Sequence, residues 1–219
     1  SRGPVNIFPC LSEHEAAAII CDVMGALAHL HACGVAHHDV SLGKILIRNT
    51  LGSNKDLTEN EYVLSLCNTR TMFGGPNPIS GHEFDSTTLL YQAPEVLQSQ
   101  VLKSGDDDEP IVGNGRIEWM VKRDIWSAGV VLHVLLTGKF PFLGKHYTDT
   151  LCRILSASFK PKSKSLANIS AGCLSLLESL LDKDPRKRPS AASIIQSNEW
   201  LKEACGKRAD KFCVSLGLH

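Results

Sequence analysis

Residues Gly34 to Ile47 read GVAHHDVSLGKILI. Two histidines and an aspartate stand in a polar turn, with apolar chain on either side. Asp39 is the one carboxylate of this turn. His37, His38 and Asp39 are metal-ligating residue types, but neighbouring side chains point apart and no fourth ligand lies at useful spacing, so no metal site is expected from them. Upstream, Ser12 to Glu15 reads SEHE, a capping box in which a Ser hydroxyl and a Glu carboxylate satisfy each other's backbone N–H groups. Ile20, Met24, Leu27 and Leu30 then recur at three- and four-residue spacing, and Gly34 suits the position just past a helix end. The expected helix delivers the chain into the turn at His37.

Downstream of the turn, Ile45 to Ile47 and Tyr62 to Leu66 are short apolar runs flanking a polar tract, Asn49 to Asn60, which predicts a small hairpin with a long tip. Residues 69 to 87 carry Gly74-Gly75-Pro76-Asn77-Pro78 and further small polar residues, so an exposed, mobile loop is expected. Ile125 to Thr137, IWSAGVVLHVLLT, is apolar on nearly every side and predicts a buried central helix between stop signals at Asp124 and Gly138. It is too short to cross a bilayer. Amphipathic helices are expected from about Tyr147 to Ala157, Gly172 to Asp182 and Ser190 to Leu201.

Four stretches, in this order, resemble the motifs of eukaryotic protein kinases of the Ser/Thr type. GVAHHDVSLGKILI resembles the catalytic loop, and Thr88 followed by Tyr91 to Val96 (YQAPEV) resembles the end of the activation segment. DIWSAGVVL at Asp124 to Leu132 resembles the central helix, and DPRKRPSA at Asp184 to Ala191 the closing motif. HLHACGVAHHD and WSAGVVLHVLLTGKFPF look most similar to the calcium/calmodulin-dependent group. The resemblance implies a mainly α (α+β) fold, the C-terminal lobe of a kinase domain, helical with one small β-hairpin. The N-terminal lobe is expected to be absent from the chain, because residues 1–11 hold none of the Gly-rich loop, strand Lys and helix Glu that grip ATP. Residues 1–219 are then one domain fragment, with 68–95 the activation segment and 97–123 an inserted acidic loop containing Asp106-Asp107-Asp108-Glu109. That run lacks the order of a calcium loop and reads as a solvated surface, with docking of a basic partner as the sharper alternative.

By the same resemblance, His37 and Asp39 stand at the family's His and Asp, which implies Asp39 as the catalytic residue that accepts the proton of a substrate hydroxyl. His38 replaces the Arg that clamps a phosphorylated loop, Ser41 the Lys that neutralises the transferring phosphoryl group, and Lys44 the Asn that holds Mg2+. Asn68-Thr69-Arg70 stands at the place of the metal-binding D-F-G, so Asn68 offers a neutral amide oxygen where a carboxylate is needed. Should the ammonium of Lys44 lie beside Asp39, the aspartate would be charged but occupied. Glu95 is expected to pair with Arg188, and Asp124 to accept backbone hydrogen bonds near His37, both in structural roles. Thr88 belongs to the loop that receives the substrate.

The whole chain has 219 residues, 43% of them hydrophobic, enough for one domain with a substantial core. Basic and acidic residues number 23 each, so no global field recruits nucleic acid or an anionic membrane. Eight cysteines, with no C-x-x-C pair, read as small buried residues in a reducing, cytoplasmic setting. The function expected is a degenerate Ser/Thr kinase domain, a pseudokinase that works by binding other proteins, such as an active kinase or a substrate protein. The alternatives are a weakly active ATP-dependent kinase and a decaying copy without a selected function. No cofactor is expected in the first case; ATP and Mg2+ are implied if the domain is active.

Overall fold

The computed structural model of the chain describes residues 10–48, 61–65, 86–102, 114–161 and 163–217. Helix α1 (Glu13–Ala32) opens with the capping box read from SEHE: the Ser12 N–H donates to Glu15 Oε2 at 2.8 Å, and the Glu15 N–H to Ser12 Oγ at 3.3 Å. It closes on Gly34, whose φ of +71° is the left-handed conformation that glycine tolerates. There the Gly34 N–H donates to the His31 carbonyl and the Val35 N–H to the Leu30 carbonyl, each at 3.0 Å, so the last carbonyls of the helix are satisfied. By length and hydropathy α1 could cross a membrane, but 67% of that stretch is buried within the fold. Ile20, Met24 and Leu27 are fully enclosed.

After a 3-10 turn at Leu42–Lys44, strands β1 (Ile45–Arg48) and β2 (Glu61–Leu64) pair antiparallel, with Ile45 opposite Leu64 and Arg48 opposite Glu61. Asp22, on α1, accepts the Tyr62 N–H at 2.7 Å and so pins the hairpin to the helix. The remainder is helical: α2 (Ser86–Tyr91), α3 (Pro94–Leu102), α4 (Asn114–Thr137), α5 (Tyr147–Ser156), α6 (Ala171–Leu180), α7 (Ala191–Ser197), α8 (Glu199–Cys205) and α9 (Lys207–Ser215). Helix α1 packs on α4, α7 and α8, and α4 packs on α6. The core therefore lies around two long helices. At Gly129 a Cβ would meet Leu180 Cβ at 2.8 Å, so the absence of a side chain there lets α4 and α6 approach.

Three expectations need correction. The central helix begins at Asn114, not at Ile125, because Arg116 to Arg123 is an unbroken run of residues compatible with helix, free of Gly and Pro. Asp124 therefore sits inside α4, and its carboxylate is directed at another segment instead of capping its own helix. Residues 97–123 are accordingly not one loop: 97–102 belong to α3 and 114–123 to α4, while the acidic run itself lies outside the described residues. The expected helix from Ser190 to Leu201 is two, broken at Asn198, whose extended backbone frees its side chain to accept the Leu201 N–H at 2.9 Å and start α8. Of the loop expected at 69–87, residues 86 and 87 open helix α2, and the rest lies outside the described residues.

Candidate functional site

The turn from Ala36 to Ser41 is held from below by one carboxylate. Asp124 accepts the His37 N–H at 2.7 Å, the His38 N–H at 2.8 Å and the His31 Nε2–H at 3.0 Å. Asp124 is 1% exposed, so these donors replace the water that a buried carboxylate loses. The His37 ring accepts the Asp39 N–H on Nδ1 at 3.2 Å and donates from Nε2 to the Ser65 carbonyl at 3.1 Å, which assigns it the neutral Nε2–H tautomer and ties the turn to the end of β2. His38 has a φ of +67°, a conformation that costs a non-glycine residue roughly 1–2 kcal/mol. The double grip of Asp124 on the N–H groups of His37 and His38 is what sustains it.

Asp39 emerges from this turn with its side chain 40% exposed, and Lys44 Nζ lies 3.3 Å from Asp39 Oδ2. The 3-10 turn brings the two together. Asp39 and Ser41 line a cavity of about 80 Å³ with His38, Tyr91, Arg123 and Ser127. Its far wall comes from the chain after α2: Ser127 Oγ donates to the Tyr91 carbonyl at 2.9 Å, and the Tyr91 ring meets Phe140 edge-on at 5.3 Å. Burial pushes the Tyr91 hydroxyl pKa up, against the opposing effect of the Leu42 N–H that it accepts at 3.5 Å, so it stays neutral. Below the cavity, Arg188 is fully buried and grips Glu95 through two bonds of 2.8 Å, Nη1 to Oε1 and Nη2 to Oε2. Its remaining donors reach the Asp182 carbonyl at 2.8 Å and the Lys122 carbonyl at 2.9 Å, and the guanidinium lies 5.0 Å over the Trp126 ring.

The ammonium of Lys44 stands 3.3 Å from the Asp39 carboxylate, and no group of three or more His, Cys, Asp or Glu side chains that could hold a metal ion occurs among the described residues. Asn68 lies outside the described residues, and Thr88 falls within α2 with its side chain undescribed.

The sequence profile described as Protein kinase domain matches residues 8–201. This chain belongs to the protein kinase domain family. It is 29% identical over 191 residues to a calcium and calcium/calmodulin-dependent serine/threonine-protein kinase of Pisum sativum, covering 87% of this chain and 31% of the relative. It is 30% identical over 195 residues to hormonally up-regulated neu tumor-associated kinase homolog B of Xenopus laevis, covering 88% and 26%. To the ovarian-specific serine/threonine-protein kinase Lok of Drosophila melanogaster it is 29% identical over 198 residues, covering 89% and 36%. The chain thus spans about a third or less of the length of these relatives.

Within this kinase fold, His37, Asp39, Asp124 and Lys44 come together at one site, while Glu95 and Arg188 meet at a second contact. Two contributors were not singled out from the sequence. His31 reaches Asp124 from the last turn of α1, and Arg123 lines the cavity, with its pKa lowered by burial and supported by the carboxylates of Asp124 and Glu95. Their only sequence signal is proximity to His37 and Asp124.

Proposed function

We propose that this kinase domain is degenerate, a pseudokinase that binds other proteins instead of transferring phosphate. The observation that carries this reading is the ion pair of Lys44 with Asp39 at 3.3 Å. Two effects follow from it, and their sizes differ. As a partly exposed pair, it holds Asp39 in place with at most about 1 kcal/mol. Repulsion is the larger effect: a unit positive charge about 5 Å from a divalent cation costs roughly 2 kcal/mol at the dielectric of water and roughly 7 kcal/mol at an effective dielectric of 20. Loss of the metal side weighs more than occupation of the acid.

Ser41 adds to this, because a hydroxyl supplies no positive charge to a phosphoryl group, and phosphoryl transfer depends on such charge. Asn68, at the place of the D-F-G Asp, offers a neutral amide oxygen and lacks the carboxylate that would hold Mg2+. What is kept is the scaffold: the Asp124 grip on the turn and the Glu95–Arg188 pair maintain a rigid surface around the cavity. A surface of this kind suits recognition of another protein.

One observation favours weak residual kinase activity instead. Asp39, partly exposed, lines the same cavity as Tyr91 and Ser127, where its carboxylate is open to a hydroxyl group entering the cavity. A radiolabel transfer assay on the full-length protein separates the two. The pseudokinase reading expects no transfer above background; turnover that Asp39→Asn abolishes would establish the kinase instead.

A further inference from the structure

Four residues that line the cavity beside Asp39 carry hydrogen-bond donors with no acceptor. Arg123, Ser41 and Gln92 line it, and among the described residues the guanidinium, the hydroxyl and the side-chain amide have no hydrogen-bond or ion-pair partner. Tyr91 Oη accepts the Leu42 N–H at 3.5 Å, which leaves its own O–H to donate. The two carboxylates that act on Arg123 through space are engaged elsewhere. Both oxygens of Glu95 are held by Arg188 at 2.8 Å, and Asp124 receives the N–H groups of His37 and His38 and the ring of His31. Arg123 is half-buried, and a guanidinium that has given up water without gaining an acceptor is unfavourable. The cavity of about 80 Å³ is the place where an acceptor fits.

We propose that this cavity binds the phosphoryl group of a phosphorylated serine or threonine side chain on a partner protein, with Arg123 as its charged anchor. The proposal rests on the protein-binding reading above and names what the bound protein presents. A phosphoryl group brings three acceptor oxygens and a charge of about −1.5 to −2 at neutral pH. A carboxylate brings two oxygens and a single charge, a poorer match to donors that come from four side chains. Arginine suits the anchoring role, because its guanidinium stays charged and offers a fork of N–H groups to phosphate.

Two carboxylates on the cavity wall oppose an anion, and both are offset. Asp124 is buried and saturated by its three donors. Asp39 is paired with Lys44 at 3.3 Å, so from the cavity its charge is seen together with an ammonium. The positive charge that opposes a divalent cation here therefore favours an anion. One wall is the turn that carries Ser41 and the other is the chain that carries Tyr91 and Gln92. A short phosphorylated side chain reaching in from an extended peptide fits between them.

The full chain is titrated, without nucleotide or metal, against N-acetyl-phosphoserine amide and, separately, inorganic phosphate, with binding read from the phosphorus NMR line width. Saturable broadening of the capped phosphoserine line is expected with wild type, weakened about tenfold or more in Arg123→Gln. Ser41→Ala and Gln92→Ala remove groups that make no bond within the fold, so their denaturation midpoints should match wild type while affinity falls about threefold in each. These two variants decide the matter if Arg123→Gln does not fold. Absence of saturable broadening by wild type would overturn the proposal, as would wild-type affinity in the folded variants. Broadening of inorganic phosphate but not of capped phosphoserine would overturn it too, since the cavity would then hold a free anion and no side chain. The two readings fail separately: this titration contains no nucleotide, and the radiolabel transfer assay decides the pseudokinase reading.

Discussion

Two ion pairs of this fold look alike in distance and differ in worth. Arg188 is fully buried, Glu95 is 13% exposed, and four donor contacts satisfy the guanidinium. Removing one partner of such a pair leaves a buried charge uncompensated, at a cost of about 3–5 kcal/mol. Glu95→Ala is therefore expected to lower the denaturation midpoint sharply, and a urea titration reading less than about 1 kcal/mol would show that water replaces the carboxylate at Arg188. Lys44 and Asp39 are 26% and 40% exposed, so their pairing adds little to stability. Lys44 can be replaced without unfolding the domain, which makes its chemical role separable from any structural one. Both contacts depend on turns: the motif positions name the partners, but only the 3-10 turn at Leu42–Lys44 brings Lys44 back to Asp39.

At the level of elements, helix ends explain most of what was legible. SEHE and Gly34 carry both boundaries of α1 in the local chain, because capping is settled within a few residues. Local signals mislead where a polar residue has two uses. Asp124 reads as a helix start but holds the turn at His37 from within α4, and Asn198 reads as an interior residue but starts α8. The far end of α4 is closed by His133, whose Nδ1–H donates to the Lys139 carbonyl at 2.8 Å. Burial holds its pKa below the ordinary value of 6.5, against the support of that bond. The unfolded chain therefore binds a proton at His133 before the folded one does. This stability is fully present above about pH 6.5 and is lost as the pH falls through the folded value. Urea midpoints taken from pH 7.5 down to 5 are expected to fall more steeply for wild type than for His133→Gln; equal slopes would remove His133 as the cause.

Taken whole, the molecule is a kinase-family fold, and the reading proposed for it is that the groups shaping the lobe are kept while those handling metal and phosphate are altered. That division is legible in the sequence, because each altered position sits in a motif whose neighbours fix its place. Contacts between distant segments are not legible: His31 with Asp124, and Arg208 with Asp22, arise only when α1 is wrapped by later helices. The central claim is that the metal side of the site is lost through charge, with Lys44 as its agent. Calorimetric titration of full-length wild type and Lys44→Asn with ATP, with and without Mg2+, addresses it directly. The account predicts no Mg2+-dependent binding by wild type and a gain in Lys44→Asn; Mg2+-dependent binding by wild type, unchanged in the variant, would contradict it.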